Sequence, residues 1–160
     1  MASERRIAEY FGDLEMLPAL RAAYARHRDE LVAQMRDHLP RRYPTAEGFV
    51  GAIERAFYAG GALTAANRER CIVALLAARE ERHFLAIHVY LALMEGVAPE
   101  EIADVVFLSA VYTGVPALTR GIAVVERTLA LLERLAAAGD GAAMHPVTGI
   151  LPALQDAFGP

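Results

Sequence analysis

The chain has 160 residues, 55% of them hydrophobic and 22% charged, with a mean hydropathy of +0.26, which suits one ordered domain with a real core and excludes a disordered chain. All 16 basic residues are Arg, which excludes Lys Schiff-base chemistry and a lysine-bearing phosphate loop; against 20 acidic residues they leave a net charge of −4 with no basic stripe, so nucleic acid is not an expected partner. The single cysteine, Cys71, permits neither an internal disulfide nor a Cys-based zinc site, and the first residues lack the apolar core of a signal peptide, so a cytoplasmic location is expected.

Apolar residues recur at helical spacing almost everywhere and no long run alternates with period two, which predicts an all-α bundle of about seven helices in a single domain, 1–160. A first segment, Ser3 to Phe11, leads across Gly12 and Asp13 into a long amphipathic helix, Leu17 to Leu39, with Leu20, Tyr24, Leu31 and Met35 on its apolar side. Pro40 and Pro44 are expected to end it. The next helix, Ala46 to Tyr58, shows Phe49, Ile53 and Phe57 one turn apart and stops at Gly60 and Gly61. Thr64 is a plausible N-cap for a helix from Ala65 to Ala78, whose Ile72 to Ala78 run is apolar on every side and predicts a central position. A charged patch, Arg79 to Arg82, precedes a helix from His83 to Glu95 that ends at Gly96, a left-handed C-terminal cap. Pro99, with Glu100 and Glu101 behind it, opens a helix to Tyr112. Gly114 and Pro116 break the chain before the last long helix, Pro116 to Ala138, which closes at Gly139. The tail, 139–160, holds Pro146, Gly149 and Pro152 and reads as loop with at most one short helix. The uncharged stretch Val105 to Thr119 is interrupted by Gly114 and Pro116 and is shorter than the ~20 apolar residues that a membrane span needs. The surplus apolar surface is therefore expected to be buried between subunits.

Chemistry concentrates between Glu69 and His88. Glu81 and His88 are two turns apart on one helix, with Phe84 between them on the same stripe, so both can face one pocket. His83 falls about 200° around from Glu81 and reaches that pocket only through an irregular first turn or across a subunit boundary. Glu69 sits on an apolar helix beside Ile72 and Val73, where a buried carboxylate needs a His or Arg partner. Glu80 and Arg82 read as a solvated patch, Tyr90 and Tyr112 as packing residues, and His27 and His38 as surface. His145, in the tail, could close over a pocket as part of a lid. Glu69, Glu81, His83 and His88 match no metal-ligand spacing, so neither a metal nor a cofactor is expected.

The stretch Arg79-Glu-Glu-Arg-His-Phe-Leu-Ala-Ile-His88, followed by Val89-Tyr-Leu-Ala-Leu-Met-Glu-Gly-Val97, Pro99-Glu-Glu-Ile-Ala103 and Val111-Tyr-Thr-Gly-Val-Pro116, resembles the carboxymuconolactone decarboxylase family, within the alkyl hydroperoxidase D-like superfamily. The resemblance covers about Gly61 to Leu132 and places the N-terminal helices, 3–58, around that core. In the hydroperoxidase branch a Cys-x-x-Cys pair precedes a His, with a Glu upstream in a proton relay. The two cysteines fall here on Glu81 and Phe84, the relay residues on Glu69, His83 and His88. Thiol peroxidase chemistry is thereby excluded, since both thiols are missing. The decarboxylase branch also lacks the cysteines, but it has a His-Val-Arg triplet where this chain has His88-Val89-Tyr90, and a Glu four residues before the His where this chain has Phe84.

The resemblance implies a homo-oligomer, a trimer or a hexamer, with pockets near subunit interfaces. It implies a cofactor-free, lyase-type enzyme acting on a small organic acid or lactone by general acid/base proton transfer. His88 and Glu69 would be acid and base, with His83 and Glu81 as further catalytic candidates. Decarboxylation is the reference reaction, and isomerisation, dehydration or cyclisation would use the same parts. The alternative is a binding or assembly protein that keeps the fold without the chemistry.

Overall fold

The computed structural model describes residues 14–42, 48, 51–53, 62–139 and 141–159. Among them all regular structure is helical: α1 (Leu17–Arg42), α2 (Ala65–Arg79), α3 (Arg82–Met94), α4 (Pro99–Thr113), α5 (Val115–Ala137), a single π-turn (Pro146–Ile150) and α6 (Leu151–Phe158). The all-α class follows from the periodicity as expected. The predicted segment Ser3–Phe11 lies outside the described residues, as does most of Ala46–Tyr58, of which Gly48 and residues 51–53 are helical. No helix among the described residues is long and apolar enough to cross a membrane.

The helix at the centre is α3. Leu85, Ala86 and the whole run from Val89 to Met94 are buried, because α1, α2, α5 and α6 pack around it and α4 touches its edge. Each fully buried Leu or Val of that run stabilises the fold by roughly 1.5–3 kcal/mol. This corrects the expectation that the 65–79 helix is central. Only Glu69, Val73 and Ala77 of α2 are buried, while Leu75 is 59% exposed and Cys71 faces outward. An all-round apolar helix has two apolar faces to cover, and among the described residues α3, α4 and α5 pack on the side of α2 that carries Glu69, Val73 and Ala77.

The caps expected from the sequence are in place. Thr64 Oγ1 accepts the Asn67 amide at 3.2 Å, and Gly96 takes φ +90° as α3 ends. Glu101 reaches back to the Ala98 amide at 2.9 Å, which is half of a capping box, since Ala98 has no side-chain acceptor. Two backbone features differ from expectation. The first helix runs through Pro40 to Arg42; in a last turn, a missing N–H removes only one hydrogen bond. The end of α2 is a Schellman motif, with Glu80 N bonding Ala77 O and Glu81 N bonding Leu76 O. Its left-handed residue is Glu80 at φ 58°, a position that usually selects Gly.

The tail is more ordered than a loop. The π-turn continues directly into α6, and Ile150, Leu154 and Phe158 enter the core. Arg127 of α5 holds α6 by donating to the Ala157 carbonyl at 3.1 Å and by lying over the Phe158 ring, 4.8 Å from its centroid. On the opposite side, Arg21 of α1 donates to the Leu93 carbonyl at 2.9 Å, tying α1 to the end of α3. Ser109 of α4 bonds the Ala74 carbonyl of α2 at 3.1 Å.

Candidate functional site

Glu69 is 3% exposed, buried on the stripe of α2 that faces α3. A carboxylate cannot stay there without a partner, and the stripe of α3 opposite supplies one: His88 Nδ1 lies 2.8 Å from Glu69 Oε2. This is the length of a charge-assisted hydrogen bond. The second carboxylate oxygen, Oε1, is 3.7 Å from Arg68 Nε. Acceptance by Glu69 puts the proton of a neutral imidazole on Nδ1 and leaves the lone pair on Nε2. The His88 side chain is 14% exposed, so the pair sits at the edge of the core.

The other two candidates lie at the start of α3, Glu81 as its N-cap residue and His83 in its first turn. Glu81 stands just before the helix, with its carboxylate 3.9 Å from Arg79 and no cap bond to the amides it precedes. His83 packs on Phe84, with ring centroids 5.2 Å apart, and burial lowers its pKa, which favours the neutral ring. Among the described residues, the structure therefore brings Glu69 and His88 into contact and places Glu81 against Arg79 and His83 against Phe84.

Beside Glu69, between α1, α2 and α3, lies a cavity of about 30 Å³ lined by Tyr24, Arg28, Leu31, Arg68, Leu91 and Glu95 among others. Leu91 and Glu95 continue the His88 stripe down α3, one and two turns on. Tyr24 donates to Glu95 Oε1 at 2.8 Å, and Arg28 Nε is 3.9 Å from the same oxygen. Burial first, and then the Glu95 carboxylate, push the Tyr24 phenol far above its ordinary range. This polar floor was not expected from the sequence; its signal is weak, since only the charged Arg28 interrupts the apolar spacing of Tyr24, Leu31 and Met35.

Tyr90 occupies the place of the cation in the His-Val-Arg pattern. It is fully buried, with its ring edge-on to Tyr24 at 6.3 Å, and its hydroxyl has no hydrogen-bond partner among the described residues. Burial, aided by Tyr24, keeps that phenol protonated. Its packing role is as expected.

A second cluster joins residues read from the sequence as surface and as lid. His27 and Glu30 lie one turn apart on α1, and His145 meets them from the turn ahead of the π-turn, its ring centroid 3.8 Å from that of His27. His145 thus closes against α1. His38 belongs to α1, and its side chain lies outside the described residues.

The model of the carboxymuconolactone decarboxylase family matches residues 44–127, just over half of the 160 residues and a span that holds both Glu69 and His88. No curated protein and no solved structure matches the chain.

Proposed function

The chain belongs to the carboxymuconolactone decarboxylase family, and on that premise we propose that it is a cytoplasmic, cofactor-free enzyme in which His88 transfers a proton to or from a small organic acid or lactone. The buried contact of 2.8 Å between Glu69 and His88 carries the reading. Removal of carbon dioxide needs an electron sink beside the departing carboxylate, surroundings that disfavour the charged ground state, and an acid to protonate the carbanion or enolate. A vinylogous lactone brings its own sink. In its imidazolium form, having taken a proton on Nε2 from water, His88 then gives that proton to the carbanion or enolate and returns to the Nδ1–H ring, while Glu69 orients the ring and stabilises its charged form. Isomerisation, dehydration and cyclisation draw on the same pair. Glu81 and His83 are kept as candidates that approach substrate from the start of α3. Dithiol peroxidase chemistry is excluded, because Cys71 is the only cysteine.

A cavity of about 30 Å³ has room for a water molecule but not for an organic acid. That cavity borders Glu69 rather than His88, and the substrate space at His88 is proposed to be completed by a neighbouring subunit in a trimer or hexamer. Phe84, one turn before His88, is exposed and would bring that neighbour to the pair. The same small cavity, with the buried Tyr90 in place of a cation, favours a second reading, a binding or assembly protein in which Glu69 and His88 are structural.

The readings separate in His88→Gln and Glu69→Gln, assayed on carboxymuconolactone and a panel of related lactones and β-keto acids. The enzyme reading expects an intact fold and turnover lower by ~10² or more, the loss of a general acid. Unchanged turnover in His88→Gln would refute it. Unfolding of both variants, with no turnover by the parent chain, would establish the structural reading.

A further inference from the structure

We propose that His27, Glu30 and His145 form a three-ligand site for a divalent transition-metal ion, with zinc the best match to the donor set. One ligand atom from each residue lies within 4.8 Å of the other two. Glu30 Oε2 is shared, 3.3 Å from His145 Nε2 and 3.6 Å from His27 Nδ1. Both separations exceed the ~2.7–2.9 Å of a charge-assisted hydrogen bond. They do match the ~3.4 Å between neighbouring ligand atoms around a tetrahedral zinc with bonds of ~2.0–2.1 Å. Two imidazoles and one carboxylate, with the fourth position open to water, form a recurrent zinc donor set. The two rings are in contact, with centroids 3.8 Å apart and planes tilted by 48°, so a shared ion would draw the two ring nitrogens together and spread the rings slightly.

The proton inventory of His145 makes the site sensitive to its surroundings. Its Nδ1 accepts the amides of Val147 and Thr148, both at 3.3 Å, so without metal the ring carries its proton on Nε2. Coordination through Nε2 moves that proton to Nδ1 and exchanges two long hydrogen bonds for one coordinate bond. The ion would thus pin the turn ahead of the π-turn to α1 while releasing two amides at its start. What it secures is the C-terminal segment, whose Ile150 and Leu154 are fully buried. His27 and Glu30 are a turn apart on one helix and His145 comes from the far end of the chain, so the site exists only in the folded state. Metal binding there adds directly to stability.

The test uses the full-length, untagged chain after treatment with a chelator. Titration with zinc chloride should show one ion per chain with a Kd of micromolar or below, and a rise in Tm. Cobalt chloride should give the visible absorption of a four-coordinate centre. His27→Gln and Glu30→Gln, both on the surface of α1 and expected to fold, should each weaken zinc at least tenfold, whereas Cys71→Ala should not. Zinc should also shift the amide NMR signals of Val147 and Thr148. Absence of stoichiometric binding at 100 μM metal, or an unchanged affinity in both α1 variants, would overturn the proposal.

Discussion

Tyr90 shows how a single position separates this chain from the decarboxylase pattern. An Arg at that place on α3 would carry a charge into the most buried part of the bundle, at a cost of several kcal/mol unless it were paired. Tyr fills the same space with a ring that packs on Tyr24, at the lesser cost of one buried hydroxyl without a partner among the described residues. Tyr90→Phe removes that hydroxyl and keeps the ring. The expected outcome is a gain of about 1 kcal/mol, read as a rise in Tm of roughly 2–4 °C for a domain of this size. A fall of several degrees would mean that the hydroxyl is bonded after all. The reverse logic applies to Glu69, where the carboxylate is satisfied by His88 at 2.8 Å. Its need for a partner was legible in the sequence, because a carboxylate one turn before Ile72 and Val73 on an apolar helix states its own desolvation problem. The sequence left that partner open as a His or an Arg, and the packing of α2 on α3 selects His88. The His27, Glu30 and His145 cluster was not legible, because no local pattern links the ends of a chain that meet only through tertiary packing.

At the scale of elements, α2 and the tail carry opposite lessons. Composition marks α2 as buried on all sides, yet burial depends on neighbours, and the outer face of α2 has none among the described residues. In the tail the abundance of Gly and Pro suggested loop, although Pro146 and Pro152 occupy first-turn positions, of the π-turn and of α6 respectively, where a missing N–H is harmless. Gly149 is required by close packing: a Cβ there would strike the carbonyl oxygens of Ala142 and Ala143. A one-turn π-bulge has no signature in hydrophobic spacing. Helix boundaries set by Thr64, Gly96, Pro99 and Gly114 were legible because each acts through its own backbone or side chain. The test of the tail is Leu154→Ala. Leu154 is fully buried, so its truncation should cost about 2–5 kcal/mol, measured by urea denaturation. A cost below 0.5 kcal/mol would return this segment to the status of a peripheral loop.

For the molecule as a whole, the unresolved term is apolar surface. Leu108, Val111, Tyr112 and Val115 are exposed at 67%, 75%, 92% and 70%, at helical spacing on the end of α4 and the start of α5. Leu75 of α2 is exposed too, on a helix packed directly against α4. None of the residues from Val105 to Thr119 is charged, and a monomer would leave in water the kind of patch that marks an interface. A homo-oligomer is the expected occupant, and static light scattering at micromolar concentration should report about three or six chains. Leu108→Glu combined with Val111→Glu should release smaller species that keep their helical content, because both side chains point into solvent within one chain. If the neighbouring subunit completes the substrate space near Phe84, the same double variant should also lose turnover while His88 and Glu69 remain in place. Full activity in the dissociated form would confine the site to a single chain, and a stable monomer of the parent protein would remove the subunit boundary from the mechanism.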